Sequence, residues 1–309
     1  MYASFYGLKD EPFRLTPDPR YLHLSEPHQR ALTAVLEGIL YRKGLVMITG
    51  PIGTGKTTIV HAALQVMWDK KVPVKSALLF NPTLTREEFF EMMLDEFQVD
   101  CAATSKPKRL AALHQMLLDT QRQGGTSVLF IDEAHLLSAE LLEEIRLLGN
   151  TDSHQEKPLQ IVLSGQPELV ALMAHPKLSA LQQRIALRAH LRPLNQLEMH
   201  IYIEERLRAA GLKGPSPFSK ATLEEIYKYS NGVPRLVNLV CDGCLSVGFR
   251  TQRQSIELDM VEEVALSMGL LQPPVPMEGR DMLPSVVSPT AMHKTAVDLL
   301  IEAMKRSRA

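Results

Sequence analysis

The sequence predicts an α/β fold, a parallel sheet flanked by helices, with a smaller all-helical domain after it. Three observations predict it. Short, apolar, β-branched segments alternate with helix-period segments from about residue 44 to residue 191. A glycine-rich loop, Gly50-Pro51-Ile52-Gly53-Thr54-Gly55-Lys56-Thr57, joins one such strand to the helix that follows it. From Pro193 onward only helical periodicity remains.

The elements follow in order. Residues 1–43 begin dense in proline and aromatics and end in a helix over about 26–41. The run 44–49 is apolar and β-branched, which reads as a buried strand, and a helix follows the glycine loop over 58–68. Residues 74–80 form a strand that stops at Asn81-Pro82. Thr85-Arg86-Glu87-Glu88 has the capping-box pattern and opens a helix. A polar loop around 104–108 leads into a helix over 109–123, which Gly124-Gly125 stops. A strand over 127–131 ends in Asp132-Glu133, a helix covers 138–148, a strand covers 159–164, and 187–191 is a last short strand. Helices are then expected over 200–210, 220–230, 234–250 and 258–268. Pro273, Pro274, Pro276, Pro284 and Pro289 make 271–290 a linker. A tail at 291–309 places Met292, Ala296, Leu299, Leu300 and Ala303 on one helix face. The expected division is therefore 1–43, an α/β core 44–192, a helical lid 193–270, the linker and the tail helix.

Composition narrows the function class. The chain has 309 residues, 45% hydrophobic and 22% charged, with Lys+Arg 34 against Asp+Glu 35. A net charge of −1 supplies no global basic field for nucleic acid. No apolar run approaches the roughly 18 residues that span a membrane, and the N-terminus has no secretory signal pattern. Three cysteines make no disulfide framework. Cys241 and Cys244 form a C-x-x-C, but no second pair or nearby histidine completes a zinc site, so both read as small apolar residues on one helix face. A cytoplasmic protein suits all of this.

The glycine loop fits the phosphate-loop pattern at every fixed position. Glycines let backbone N–H groups turn inward around phosphates, and the helix start adds positive partial charge. Gly50, Pro51, Ile52, Gly53, Thr54, Gly55, Lys56, Thr57 and Thr58 are the expected nucleotide-binding residues. Lys56 is expected to reach the β- and γ-phosphates of ATP, and the Thr57 hydroxyl to hold Mg2+. Asp132, at its strand tip, is the second metal residue; Glu133, one position on, is expected to polarise a water for in-line attack. The string Asp132-Glu133-Ala134-His135 also spells the box of one helicase class, but the paired helicase domain and its arginine-rich motifs are missing.

Downstream features resemble the AAA+ class of P-loop NTPases, and the resemblance implies further roles. Gln166, just past the strand Leu159-Gln160-Ile161-Val162-Leu163-Ser164, takes the place of a first sensor that orients the attacking water, with Ser164 in reserve. Arg184, in Leu181-Gln182-Gln183-Arg184-Ile185, takes the place of an arginine finger that acts on a neighbouring subunit, with Arg188 in reserve. Arg235, in Asn231-Gly232-Val233-Pro234-Arg235, matches a second sensor that touches the γ-phosphate and couples lid angle to nucleotide. Asn81 is placed to hold Glu133 inactive until a partner binds. Together the class implies an ATP-dependent homo-oligomer, with a hexamer as one size.

The N-terminal block is more specific. Phe5-Tyr6-Gly7-Leu8, Pro12-Phe13, Thr16-Pro17-Asp18-Pro19-Arg20-Tyr21-Leu22, Leu24-Ser25 and His28 resemble the opening of the ExeA/GspA family of general-secretion AAA+ ATPases. Gly165-Gln166-Pro167-Glu168-Leu169 and Gly232-Val233-Pro234-Arg235-Leu236-Val237-Asn238 are similar to it as well. The resemblance covers about residues 1–270. It implies that the first 43 residues pack beside the nucleotide. It also implies a cytoplasmic helper for secretion, pilus or exopolysaccharide assembly, peripheral to the inner membrane through a membrane-associated partner. Secretion members usually continue into a transmembrane helix and a peptidoglycan-binding domain; with neither here, the expectation is the ATPase module alone. Two rivals remain: a DNA-binding ATPase of the transposition-regulator type, and a nucleotide-gated scaffold with little turnover.

Overall fold

The computed structural model describes residues 2–16, 21, 24–80, 83–101, 105–149 and 157–270. The Pro-rich linker, the tail helix and Asn81 lie outside the described residues. The chain forms two compact units.

The α/β unit runs α1 (Glu26–Leu40), β1 (Leu45–Thr49), α2 (Lys56–Asp69), β2 (Val74–Leu79), α3 (Arg86–Glu96), α4 (Lys106–Arg122) and β3 (Thr126–Ile131). It continues through α5 (Ala139–Leu148), β4 (Leu159–Gly165), α6 (Glu168–Met173), α7 (Ser179–Gln182) and β5 (Ile185–His190). The five strands are all parallel in the order β2-β3-β4-β1-β5. The three inner strands are buried along their whole length, which is why they read as mostly apolar runs. The edge strand β5 alternates half-buried and exposed residues, and its sequence Ile-Ala-Leu-Arg-Ala-His alternates with it. Phe89 and Met93 from α3, with Phe97 at its C-cap, share a core cluster with Leu129, Ile131 and Leu163. The Thr85 capping box forms as expected, with Glu88 reaching back to the cap.

Register positions the loops. Thr49 lies opposite Gly165, and Ile131 opposite Leu163. The carboxyl ends of β1, β3 and β4 therefore finish close to level, and the segments leaving them emerge side by side.

The helical unit holds α8 (Gln196–Ala209), α9 (Lys220–Ser230), α10 (Pro234–Arg250) and α11 (Leu258–Ser267). The described residues among 1–25 belong to it, whereas α1 belongs to the α/β unit. The expected 1–43 segment is thus divided at Ser25. The reason is apolar burial: Tyr2, Tyr6, Leu8, Phe13 and Tyr21 share a core with Met199, Ile203, Leu207 and Leu245. Buried Arg206 fastens this segment by donating to the carbonyls of Pro12 (2.6 Å), Tyr21 (3.3 Å) and Arg14 (3.4 Å). Its guanidinium also lies over the Tyr21 and Tyr202 rings, at 5.1 and 5.4 Å from their centroids. Tyr2 donates to the Asp242 carboxylate, and Tyr6 to the carbonyl of Arg253. Cys241 and Cys244 are fully buried on α10, and burial pushes the Cys244 thiol up to about 12, so both are inert core residues. Among the described residues no group of histidine, cysteine and carboxylates forms a metal cluster.

Candidate nucleotide site

The phosphate loop takes the shape its glycines allow. Gly53 and Gly55 sit at φ +79° and +97°, conformations closed to most other residues. Gly53 to Gly55 group with the helical unit, and there Gly53 also meets α10: a Cβ on it would lie 2.9 Å from the Cβ of Arg235. The Arg235 backbone N–H donates to the Gly53 carbonyl at 3.2 Å, while its side chain is exposed. The turn ahead of α10 needs its own glycine. Gly232 is at φ +68°, and a Cβ there would come within 1.9 Å of the Leu194 carbonyl oxygen. Thr54 is buried, Ile52 is exposed, and Pro51 and Thr58 are half-buried.

Lys56 opens α2, and its ammonium folds back to donate to the carbonyls of Gly50 (2.9 Å) and Pro51 (3.0 Å). Burial lowers its pKa, with Glu133, Asp132 and Glu168 opposing that shift. The Thr57 hydroxyl donates to Asp132 Oδ2 at 2.5 Å, so the two expected metal residues are already adjacent. A hydroxyl and a carboxylate oxygen form a hard-oxygen pair, the donor chemistry that suits Mg2+.

Glu133 stands at φ 50°, ψ 35°, a left-handed conformation that costs a non-glycine residue about 1 kcal/mol. Its own N–H donates to Asp132 Oδ1 at 3.0 Å, which stabilises the bend. Gln166, one residue past β4, reaches Glu133 Oε2 with its Nε2 at 3.4 Å. Ser164, the reserve, lies inside β4 opposite Ile48, and its Oγ is buried without a hydrogen-bond partner among the described residues. Of Gln166 and Ser164, Gln166 is therefore the one that the structure brings to Glu133.

Arg184 is not brought to this site. It lines a cavity of about 160 Å³ with Leu45, Leu159, Arg146 and Lys157, and its Nη1 donates to the Arg146 carbonyl at 3.0 Å. Leu45 and Leu159 begin their strands, so this cavity lies at the opposite edge of the sheet from the phosphate loop, roughly 13 Å away along β1. Arg188 is exposed on β5, opposite Met47.

One residue that motif reading left without a role belongs to the site. The His135 ring is only 11% exposed, and its Nδ1 lies 3.4 Å from Glu133 Oε2 and 3.4 Å from the Gln166 N–H nitrogen. The helicase-like string contained it, but a string carries no sign that the turn after β3 folds the ring back onto Glu133. His190, exposed at the end of β5, lies with its Nδ1 3.1 Å from the Thr49 hydroxyl.

Comparisons with known proteins agree with the fold. Residues 39–173 match the family model of the AAA domain. Over 250 residues the chain is 38% identical to general secretion pathway protein A of Aeromonas hydrophila, a match covering 81% of this chain and 45% of that protein. The chain thus spans about half the length of the curated relative it matches. Among solved structures, Cdc6p from Pyrobaculum aerophilum superposes with TM-score 0.66 at 16% identity, covering 84% of this chain and 71% of that one. The Aeropyrum pernix ORC2 protein superposes with TM-score 0.61 at 16% identity, covering 84% and 72%. These distant structures share the fold. No helix among the described residues is long and apolar enough to cross a membrane.

Proposed function

We propose, from the premise that this chain is an AAA+ protein of the general secretion pathway protein A type, that it binds and hydrolyses Mg-ATP as an oligomeric conformational switch. One observation carries the reading. The ends of β1, β3 and β4 bring a glycine loop with its lysine, a hydroxyl–carboxylate pair and a carboxylate–amide pair to one edge of the sheet.

Each side chain has a part in that reaction. The loop N–H groups and the start of α2 cradle the phosphates. Lys56 exchanges its two loop carbonyls for phosphate oxygens, whose negative charge offsets the desolvation that lowers its pKa. Thr57 and Asp132 would hold Mg2+, which supplies Lewis-acid charge when bound. Glu133 takes a proton from water as that oxygen bonds to the γ-phosphorus and the bond to the β–γ bridging oxygen breaks. Gln166 orients the same water. Arg235 and, from a neighbouring subunit, Arg184 add positive charge as the phosphoryl group transfers. Placement of Arg184 at the far edge of its own sheet supports a role in trans.

Hydrolysis then resets the assembly. The relative's name supports secretion as the process served, and the proposal extends this to a cytoplasmic place beside a membrane-associated partner. The test is mass photometry with parallel phosphate release in ADP and ATP, with and without duplex DNA. ATP-driven assembly and turnover that DNA leaves unchanged uphold the reading. DNA-nucleated assembly transfers it to a transposition-type ATPase, and assembly without turnover to a nucleotide-gated scaffold.

A further inference from the structure

We infer that His135 is a positioning residue that couples the end of β4 to Glu133, an inference that rests on Glu133 being the base. The turn after β3 is a single 3-10 turn, Ala134–Leu136, closed by the Leu136 N–H donating to the Glu133 carbonyl at 2.9 Å. It carries the ring back over the residue two positions earlier. The turn is also packed against β4: a Cβ on Gly165 would lie 3.2 Å from the His135 backbone nitrogen and crowd the turn. With 11% exposure, the ring has little freedom to swing away.

The chemistry of one nitrogen makes this contact a choice. Nδ1 is 3.4 Å from a donor, the Gln166 N–H, and 3.4 Å from an acceptor, Glu133 Oε2. A neutral imidazole nitrogen is either a donor or an acceptor. In one tautomer Nδ1 accepts from Gln166, and Glu133 keeps only the amide of the Gln166 side chain. In the other, Nδ1–H donates to Glu133, and the Gln166 N–H is released. The two arrangements carry the same net charge and exclude each other. Both distances are long for a hydrogen bond, so a small movement of Gln166 toward Nδ1 favours the accepting tautomer, and one away from it frees Nδ1–H for Glu133. The ring thereby converts a displacement at the end of β4 into a change in the orientation of the Glu133 carboxylate. Lys56 is the cation coupled to the same carboxylate, and it is present in both arrangements.

The experiment uses the full chain and measures ATP affinity, kcat and KM for wild type, Glu133→Gln, His135→Ala and His135→Asn. His135→Ala is expected to lower kcat by about 10- to 100-fold with KM within about twofold, the scale seen when an orienting partner is removed. His135→Asn, whose amide offers a donor and an acceptor together, is expected to recover part of kcat. In wild type, 15N spectra of labelled histidine are expected to show a change of Nδ1 protonation between ADP and a non-hydrolysable ATP analogue. If Glu133→Gln retains turnover, the base assignment fails and this inference goes with it. If Glu133→Gln is inactive while His135→Ala keeps wild-type kcat, the base stands and the inference is overturned. Affinity falling in step with kcat in both His135 variants also overturns it, because the ring then only supports the fold.

Discussion

Two polar clusters, one in each unit, are satisfied to different degrees. In the helical unit Arg206 is saturated: three backbone carbonyls accept from it, two tyrosine rings flank it, and it touches the Tyr202 hydroxyl at 3.1 Å. At the carboxyl edge of the sheet the polar groups are under-satisfied. Lys56 rests on carbonyls of its own loop, Glu133 is left-handed with contacts of 3.4 Å, and Ser164 Oγ has no partner among the described residues. Full satisfaction marks a group that holds the fold, and strained or long contacts mark groups kept ready for a ligand.

Substitutions break this contrast most sharply at the sheet edge. Lys56→Ala should abolish both ATP binding and turnover, measured by nucleotide titration and phosphate release. Glu133→Gln should leave binding intact and cut turnover by about 10²–10⁴-fold, the scale for a general base. Stability should barely change in either, since neither group is part of a saturated network. A protein in which Glu133→Gln unfolded would place Glu133 with Arg206, among the structural residues.

Arg206→Ala is the opposite case. It should cost about 3–5 kcal/mol, because it strands three carbonyls and opens a cavity between Tyr21 and Tyr202. Calorimetry should show Tm falling by about 10 °C, and proteolysis should release the N-terminal segment first. An unchanged Tm would mean that the aromatic packing of Tyr2, Tyr6 and Phe13 suffices alone.

The two edges of the sheet can be separated by mixing. Arg184→Ala and Glu133→Gln should each be inactive as pure assemblies. Mixed, they should recover part of the wild-type rate, since a subunit with intact Glu133 can receive Arg184 from a neighbour. Recovery absent at every ratio would restrict Arg184 to its own subunit, where it lines the cavity with Arg146.

What was legible in the sequence follows from range. The glycine loop, the carboxylates after β3 and the Thr85 capping box are local patterns, and each stands where its spacing placed it. The sheet was legible because buried parallel strands read as apolar runs. The partner of residues 1–25 was not legible, since Arg206 meets Pro12 across 194 positions and nothing local in either stretch records the other. Helix α1 was joined to that segment only by adjacency, whereas its buried face packs with the α/β unit. His135 was visible as a letter in a string, but its contact with Gln166 depends on the register of β3 and β4.

The smallest expected effect sharpens the contrast from inside the saturated unit. Asp242 accepts from the Tyr2 hydroxyl on α10, and burial holds its pKa above the ordinary carboxylate value. The folded state therefore binds this proton more tightly than the unfolded state. Its contribution to stability is complete below the ordinary carboxylate pKa and is lost as pH rises through the raised native value. At neutral pH the ionised carboxylate weakens the helical unit slightly, and Asp242→Asn, which still accepts from Tyr2, should relieve it. The variant should be more stable than wild type at pH 7 by about 1 kcal/mol or less, and the two should converge as pH falls and Asp242 protonates. Chemical denaturation at several pH values measures it. A gap that widened in acid would mean that the Tyr2 bond needs the full negative charge, and the N-terminal fastening would then be an ionic contact instead of a packed one.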